Sequence, residues 1–109
     1  MSTARGRRAE ELVAEYLKRH RHVIVAMNWR TRRCEIDVIS THKKTVYFTE
    51  VKYRSSSNWG EGLDYITEAK LTQMRFAAEL WLAQHDWRGQ VCLQAASVDS
   101  NDTITLIEL

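Results

Sequence analysis

The sequence predicts one α/β domain with its elements in the order α-β-β-β-α-β-β, and three observations predict it. The 109 residues are 44% hydrophobic and 28% charged, the size and mixture of a single domain with one core. The chain opens with apolar residues at steps of three and four, the period of a helix. Segments rich in Val, Ile, Tyr, Phe and Thr follow in two groups, with a second helical stretch between them. No repeat or low-complexity tract appears and proline is absent, so the elements must end on glycine, capping and polar residues.

From about Ala4 to Arg19, Ala9, Val13, Tyr16 and Leu17 form an apolar stripe, with Glu11, Glu15 and Lys18 on the solvated side. Glu10 precedes Val13, Ala14 and Leu17 by three, four and seven positions and so leans toward the core. A carboxylate there costs free energy unless a cation or hydrogen-bond donor meets it, which makes Glu10 a candidate site residue. The plain alternative is a glutamate at the helix border that snorkels to water. Residues 22–28, 35–40 and 45–53 carry the β-branched and aromatic composition of strands and predict a meander. Ser55, Ser56, Ser57, Asn58, Gly60 and Gly62 then predict a flexible loop, whose Trp59 is placed to stack on an unpaired base. Thr67 followed by Glu68 reads as an N-cap and acidic first turn, opening a helix through Leu71, Met74, Ala77, Ala78, Leu80 and Trp81 toward His85. Two last strands are expected at residues 91–98 and 103–109, separated by the turn formers Asp99, Ser100, Asn101 and Asp102.

The net charge is only +2, yet up to Arg54 there are 13 basic against 6 acidic residues, and beyond it 3 against 8. Such asymmetry predicts a basic surface for a polyanion. No apolar run approaches the roughly 20 residues of a membrane-spanning helix, and the early arginines lack the apolar stretch of an export signal, so a cytoplasmic location away from membranes is expected. Cys34 and Cys92 form no Cys-x-x-Cys pair, which argues against a zinc knuckle and a disulfide framework and leaves them as reduced packing residues. His20, His22, His42 and His85 lack ligand-like spacing and receive no metal role.

The chemical signal lies in the second and third strands. Val46, Phe48, Glu50 and Lys52 share one face, with the Cα atoms of Glu50 and Lys52 roughly 6.6 Å apart. A short turn centred on His42 and Lys43 would set Asp37 opposite Phe48 and Glu35 opposite Glu50, gathering Asp37, Glu35, Glu50 and Lys52 on that face. A slip of one residue would undo the grouping. Carboxylates facing one another repel, and a divalent cation resolves the repulsion; oxygen ligands favour Mg²⁺ or Mn²⁺, and such a site suits phosphoryl chemistry. The plain alternative is a salt-bridge network at the end of the sheet.

Several motifs carry a family likeness: Gly6-Arg7-Arg8-Ala9-Glu10-Glu11 with Tyr16-Leu17, Asn28-Trp29-Arg30, Glu35-Ile36-Asp37-Val38-Ile39, Phe48-Thr49-Glu50-Val51-Lys52-Tyr53-Arg54, and Lys70. Through them the chain resembles the YraN-like uncharacterised bacterial family, whose members are similar to the PD-(D/E)xK, or restriction-endonuclease-like, superfamily and its Holliday-junction resolvases. The resemblance implies one restriction-endonuclease-like domain over residues 1–109, with helices on a mixed sheet. It further implies that Asp37, Glu50 and the Val51 carbonyl bind metal, that Lys52 is the catalytic lysine, that Glu10 is the glutamate of helix one, and that Lys70 approaches from the second helix. Ala9 and Cys34 stand where glycines are usual, and Cys92-Leu93-Gln94 where Arg-Phe-Asp is usual. The function so implied is Mg²⁺- or Mn²⁺-dependent hydrolysis of DNA, branched DNA included. By position, Arg5, Arg7, Arg8, Arg30, Arg32, Arg33 and Arg54 are candidate phosphate contacts, the plain alternative being a solvated surface. An exposed face on Trp81 would suit a homodimer. The competing readings are a noncatalytic nucleic-acid-binding module and a protein-interaction scaffold meeting its partner through the acidic second half.

Overall fold

Helix α1 (Ala4–Arg19) forms over the predicted residues, and strands β1 (Val23–Arg30), β2 (Glu35–His42) and β3 (Thr45–Arg54) follow it. Helix α2 (Glu68–Gln84) and strands β4 (Gln90–Asp99) and β5 (Ile104–Glu108) complete the expected order. This architecture comes from a computed structural model that describes residues 4–54 and 66–109. The serine-rich segment with Trp59 lies outside the described residues.

Among the described residues, five strands make one sheet in the order β1-β2-β3-β4-β5. Neighbours are antiparallel except β3 and β4, which run parallel. A parallel pair needs a long crossover, and α2 lies in that connection, so the sheet is mixed. The Thr67 hydroxyl starts α2 by accepting the Lys70 N–H at 3.0 Å. Side-chain alternation divides the core in two. Ala9, Val13 and Leu17 of α1 pack with Val38, Ala96 and Val98 on one face. Met74, Ala77, Ala78 and Trp81 of α2 pack with Ile36, Ile39, Val46 and Phe48 on the other. Among the described residues no helix is long and apolar enough to cross a membrane.

Two expectations need correction. The β2–β3 hairpin turns on Lys43 and Lys44, not on His42 and Lys43: His42 pairs with Thr45, and both lysines have positive φ, 48° and 64°. That is the geometry of a tight two-residue hairpin turn. The register moves by two residues relative to the expectation, and the ladder ends at Val38↔Thr49, before it reaches Asp37 and Glu35. A shift of two keeps every side chain on its face, which is why the grouping of Asp37 with Glu50 survives. Trp81 is 3% exposed, set edge-on to Phe48 at 5.6 Å and stacked on His85 at 4.1 Å. It is a core residue and offers no face to a second copy. The thiols fit the packing reading: Cys34 is buried, Cys92 is half-buried and both are free.

Candidate active site

The β2–β3 ladder runs from His42↔Thr45 to Val38↔Thr49, one position short of Asp37 and Glu50. Asp37 turns its side chain into the place the ladder leaves, and its Oδ2 accepts the Val51 N–H at 2.8 Å. In a strand the N–H and C=O of one residue point to the same side, so the Val51 carbonyl also faces β2. Asp37, Glu50 and Glu10 are 8%, 5% and 7% exposed, so three elements bring buried carboxylates to this corner. Burial first, then the charge of Glu50, pushes the Asp37 carboxyl up to about 7; Glu10 adds to the rise and the Val51 N–H opposes it.

Two ammonium groups attend Glu50. Lys52 Nζ lies 3.5 Å from Oε2 and Lys70 Nζ 3.6 Å from Oε1. Lys52 reaches Glu50 because the two alternate on one strand face. Lys70 arrives because Thr67 caps α2 three residues earlier. The Lys52 side chain is 40% exposed and that of Lys70 28%, so Lys52 is the lysine more open to solvent. Cys34 belongs to the same surroundings: burial pushes its thiol up, with the carboxylates of Glu50 and Asp37 adding and Lys70 opposing.

Glu35 is not drawn to Glu50. It sits across from Arg30 on β1, whose Nε donates to Glu35 Oε2 at 2.7 Å. Arg8 pairs with Asp102 at 2.7 Å, and Arg5 lies over the Tyr53 ring, 5.7 Å from its centroid. Arg5, Arg8, Tyr53 and Ser100 line one cavity of about 300 Å³. Arg7, Arg32, Arg33 and Arg54 are exposed.

Asn28 enters the sequence reading only within the Asn28-Trp29-Arg30 likeness and receives no role there. Its φ of 52° is left-handed and its Oδ1 is buried with no hydrogen-bond partner. It lines a cavity of about 250 Å³ with Arg7, Glu10 and Glu11. The available signal was the residue type: Asn is poor in strands and tolerant of left-handed backbone.

No three His, Cys, Asp or Glu side chains among the described residues are drawn together closely enough to hold a metal on their own. What the corner offers is two carboxylates from adjacent strands and a backbone carbonyl, all hard oxygen donors. The Asp37 carboxyl is raised by burial first and by the neighbouring charge of Glu50 second. That donor set fits a divalent cation that keeps part of its water shell, as Mg²⁺ and Mn²⁺ do.

Among known proteins, the profile of Uncharacterised protein family UPF0102 matches residues 9–104 of this chain. The chain is similar to a UPF0102 protein of Clavibacter michiganensis, 39% identical over 94 residues that cover 85% of this chain and 80% of that one. It is 40% identical to a UPF0102 protein of Parafrankia over 80 residues, 73% of this chain and 68% of the relative. A UPF0102 protein of Pseudomonas aeruginosa is 35% identical over 103 residues, 93% and 82% of the two chains. The matched span contains Glu10, Asp37, Glu50, Lys52 and Lys70.

Proposed function

The chain belongs to UPF0102, the YraN-like family, and from that premise we propose that it is a Mg²⁺- or Mn²⁺-dependent nuclease. It hydrolyses phosphodiester bonds in DNA, branched DNA included, in the cytoplasm. One observation carries the reading: where β2 and β3 part, Asp37 and Glu50 converge beside the Val51 backbone, with an accessible Lys52 on the Glu50 face.

Asp37, Glu50 and the Val51 carbonyl would hold the cation. Bound there, it lowers the pKa of water and withdraws charge from a phosphate oxygen. Lys52 Nζ orients the attacking water and meets charge developing on the phosphate. Lys70 holds Glu50 from the α2 side and fixes its carboxylate plane. Glu10 adds negative charge near Asp37, which raises that carboxyl and would strengthen the attraction of the corner for a divalent cation. Arg7, Arg32, Arg33 and Arg54 lie exposed for the DNA backbone. Arg8 and Arg30 keep 65% of their side chains exposed despite their ion pairs, and such surface pairs give way at small cost.

A second reading, a noncatalytic nucleic-acid-binding module, draws on the two lysines that already neutralise Glu50. Linear, single-stranded and four-way-junction DNA incubated with Mg²⁺, Mn²⁺ or EDTA separates the two readings. Cleavage that needs metal and is lost in Asp37→Ala, Glu50→Ala and Lys52→Ala is the expected result. Binding without cleavage that survives all three substitutions favours the module.

A further inference from the structure

At the end of the sheet away from Glu50, the chain brings together three histidines. His20, His22 and His42 line one cavity of about 350 Å³ with Tyr16 and Tyr47. His20 stacks on Tyr16 at 4.2 Å, and His22 sits between His42 at 5.0 Å and Tyr47 at 4.6 Å. Each imidazole is anchored through Nδ1: His20 to the Tyr16 carbonyl at 2.8 Å, His22 to Ser40 Oγ at 2.9 Å, His42 to the Arg21 carbonyl at 3.3 Å. A carbonyl only accepts, so Nδ1 of His20 and His42 is the donor, and in the tautomer protonated there Nε2 is an acceptor. Burial, and then His42 and His20, hold His22 below its ordinary pKa, so its ring is uncharged at neutral pH.

The arrangement does not suit a metal. The His22 and His42 rings are within 12° of parallel, so their in-plane lone pairs run side by side rather than toward a common point. It does suit a flat ligand with hydrogen-bond donors at its edge.

The residues next to these histidines in the chain are cationic, at a conformational cost. Helix α1 ends with the His22 N–H on the Leu17 carbonyl at 2.9 Å, which puts Arg21 at the left-handed position where glycine is usual. Lys43 and Lys44 fill both positions of a turn that favours Asn-Gly. All three are exposed, and the bond from His42 to the Arg21 carbonyl ties their two corners together. Three cations occupy left-handed backbone beside one aromatic cavity, where smaller uncharged residues would be less strained.

We propose that this end of the molecule is a second nucleic-acid site, which takes an unpaired base of a single strand into the cavity its rings line and the neighbouring phosphates on Arg21, Lys43 and Lys44. A base inside a duplex stack cannot enter a ring-lined cavity, whereas one in a single strand or at a branch point can. Thr45 and Glu50 are five positions apart along β3, roughly 17 Å, with Tyr47 and Glu50 on opposite faces of the sheet. The inference rests on the nuclease reading in naming the substrate feature that enzyme grips: single-stranded character a short way from the cut.

The test uses the full chain in EDTA, with fluorescence anisotropy of a labelled twelve-nucleotide oligo-dT and a duplex of the same length over a range of salt. Wild type should prefer the single strand. Lys43→Asn with Lys44→Gly installs a better turn, so its thermal midpoint should rise. Single-strand affinity should nevertheless fall, and the slope of log K against log salt should flatten by about 1.4. Tyr47→Leu should weaken single-strand binding about tenfold and change duplex binding little. Wild-type protein that binds in this way yet cuts no DNA with Mg²⁺ or Mn²⁺ removes the nuclease reading and leaves the site standing. Unchanged binding in both variants, or no preference for the single strand, overturns the site whatever the cleavage assay gives.

Discussion

Replacing Asp37 by Asn should make the metal-free protein more stable in alkaline solution, although Asp37 is a proposed metal ligand. The Asp37 carboxyl is raised from its ordinary 3.8 to about 7, so between those values the folded chain binds a proton that the unfolded chain has released. Stability from this group therefore falls as pH rises through that interval, is fully lost above about pH 7, and is indifferent to pH below about 4. Each pH unit is worth about 1.4 kcal/mol. Across the interval the group takes up to about 4 kcal/mol, a large share of the 5–15 kcal/mol typical of a domain. Asn mimics the protonated acid: its oxygen can still accept the Val51 N–H and its amide can donate toward Glu50. Urea unfolding in EDTA at pH 5, 7 and 9, followed by tryptophan fluorescence, measures the effect. Wild type should lose stability relative to Asp37→Asn mainly between pH 5 and 7, with little further change from pH 7 to 9, where the gap levels off at a few kcal/mol. Mg²⁺ at pH 9 should narrow the gap by stabilising wild type alone. A variant less stable than wild type at pH 9, or a gap that does not change with pH, refutes the account of a carboxylate held against its neighbours.

Lys52→Ala should lower cleavage by about 10²–10³-fold, the scale of losing one preorganised positive group at the transition state, while DNA affinity in EDTA stays close to wild type; equal loss of binding would contradict its assignment to the chemical step. Gly89→Ala should destabilise by about 1–3 kcal/mol or more, because a Cβ there would overlap the Lys44 carbonyl oxygen and press on Trp87; a thermal midpoint unchanged from wild type counts against it. Thr67→Ala should cost about 1 kcal/mol by removing the α2 cap, and it should also slow cleavage if the capped turn holds Lys70 on Glu50, whereas unimpaired turnover would show that Lys70 is not needed there.

What could be read from the chain was what local rules reach. Helix α1 and the inward lean of Glu10 follow from positions three, four and seven apart, and the α2 start follows from Thr67 and Glu68. Glu50 and Lys52 share a face because strands alternate. The hairpin register was missed by two residues because Lys43-Lys44 carries none of the turn chemistry that Asn-Gly would, while the backbone turns there all the same. Lys70 reaches Glu50 through a crossover helix, a contact between residues 20 positions apart that periodicity cannot give. Glu35 was expected beside Glu50 because only β2 and β3 entered the pairing; β1 supplied Arg30 from the other side.

The histidines make the same point more strongly. Ligand spacing rules test whether residues lie on one turn or one strand, and His20, His22 and His42 fail them. They meet because the end of α1, the start of β1 and the β2–β3 hairpin close on one another, with His22 bonded to Ser40 and His42 to the Arg21 backbone. Only the antiparallel pairing of Val23 with Thr41 brings those corners into register. Once it does, the positive φ at Arg21, Lys43 and Lys44 ceases to be three unrelated oddities. Keeping cations at all three is what a polyanion at this rim would require.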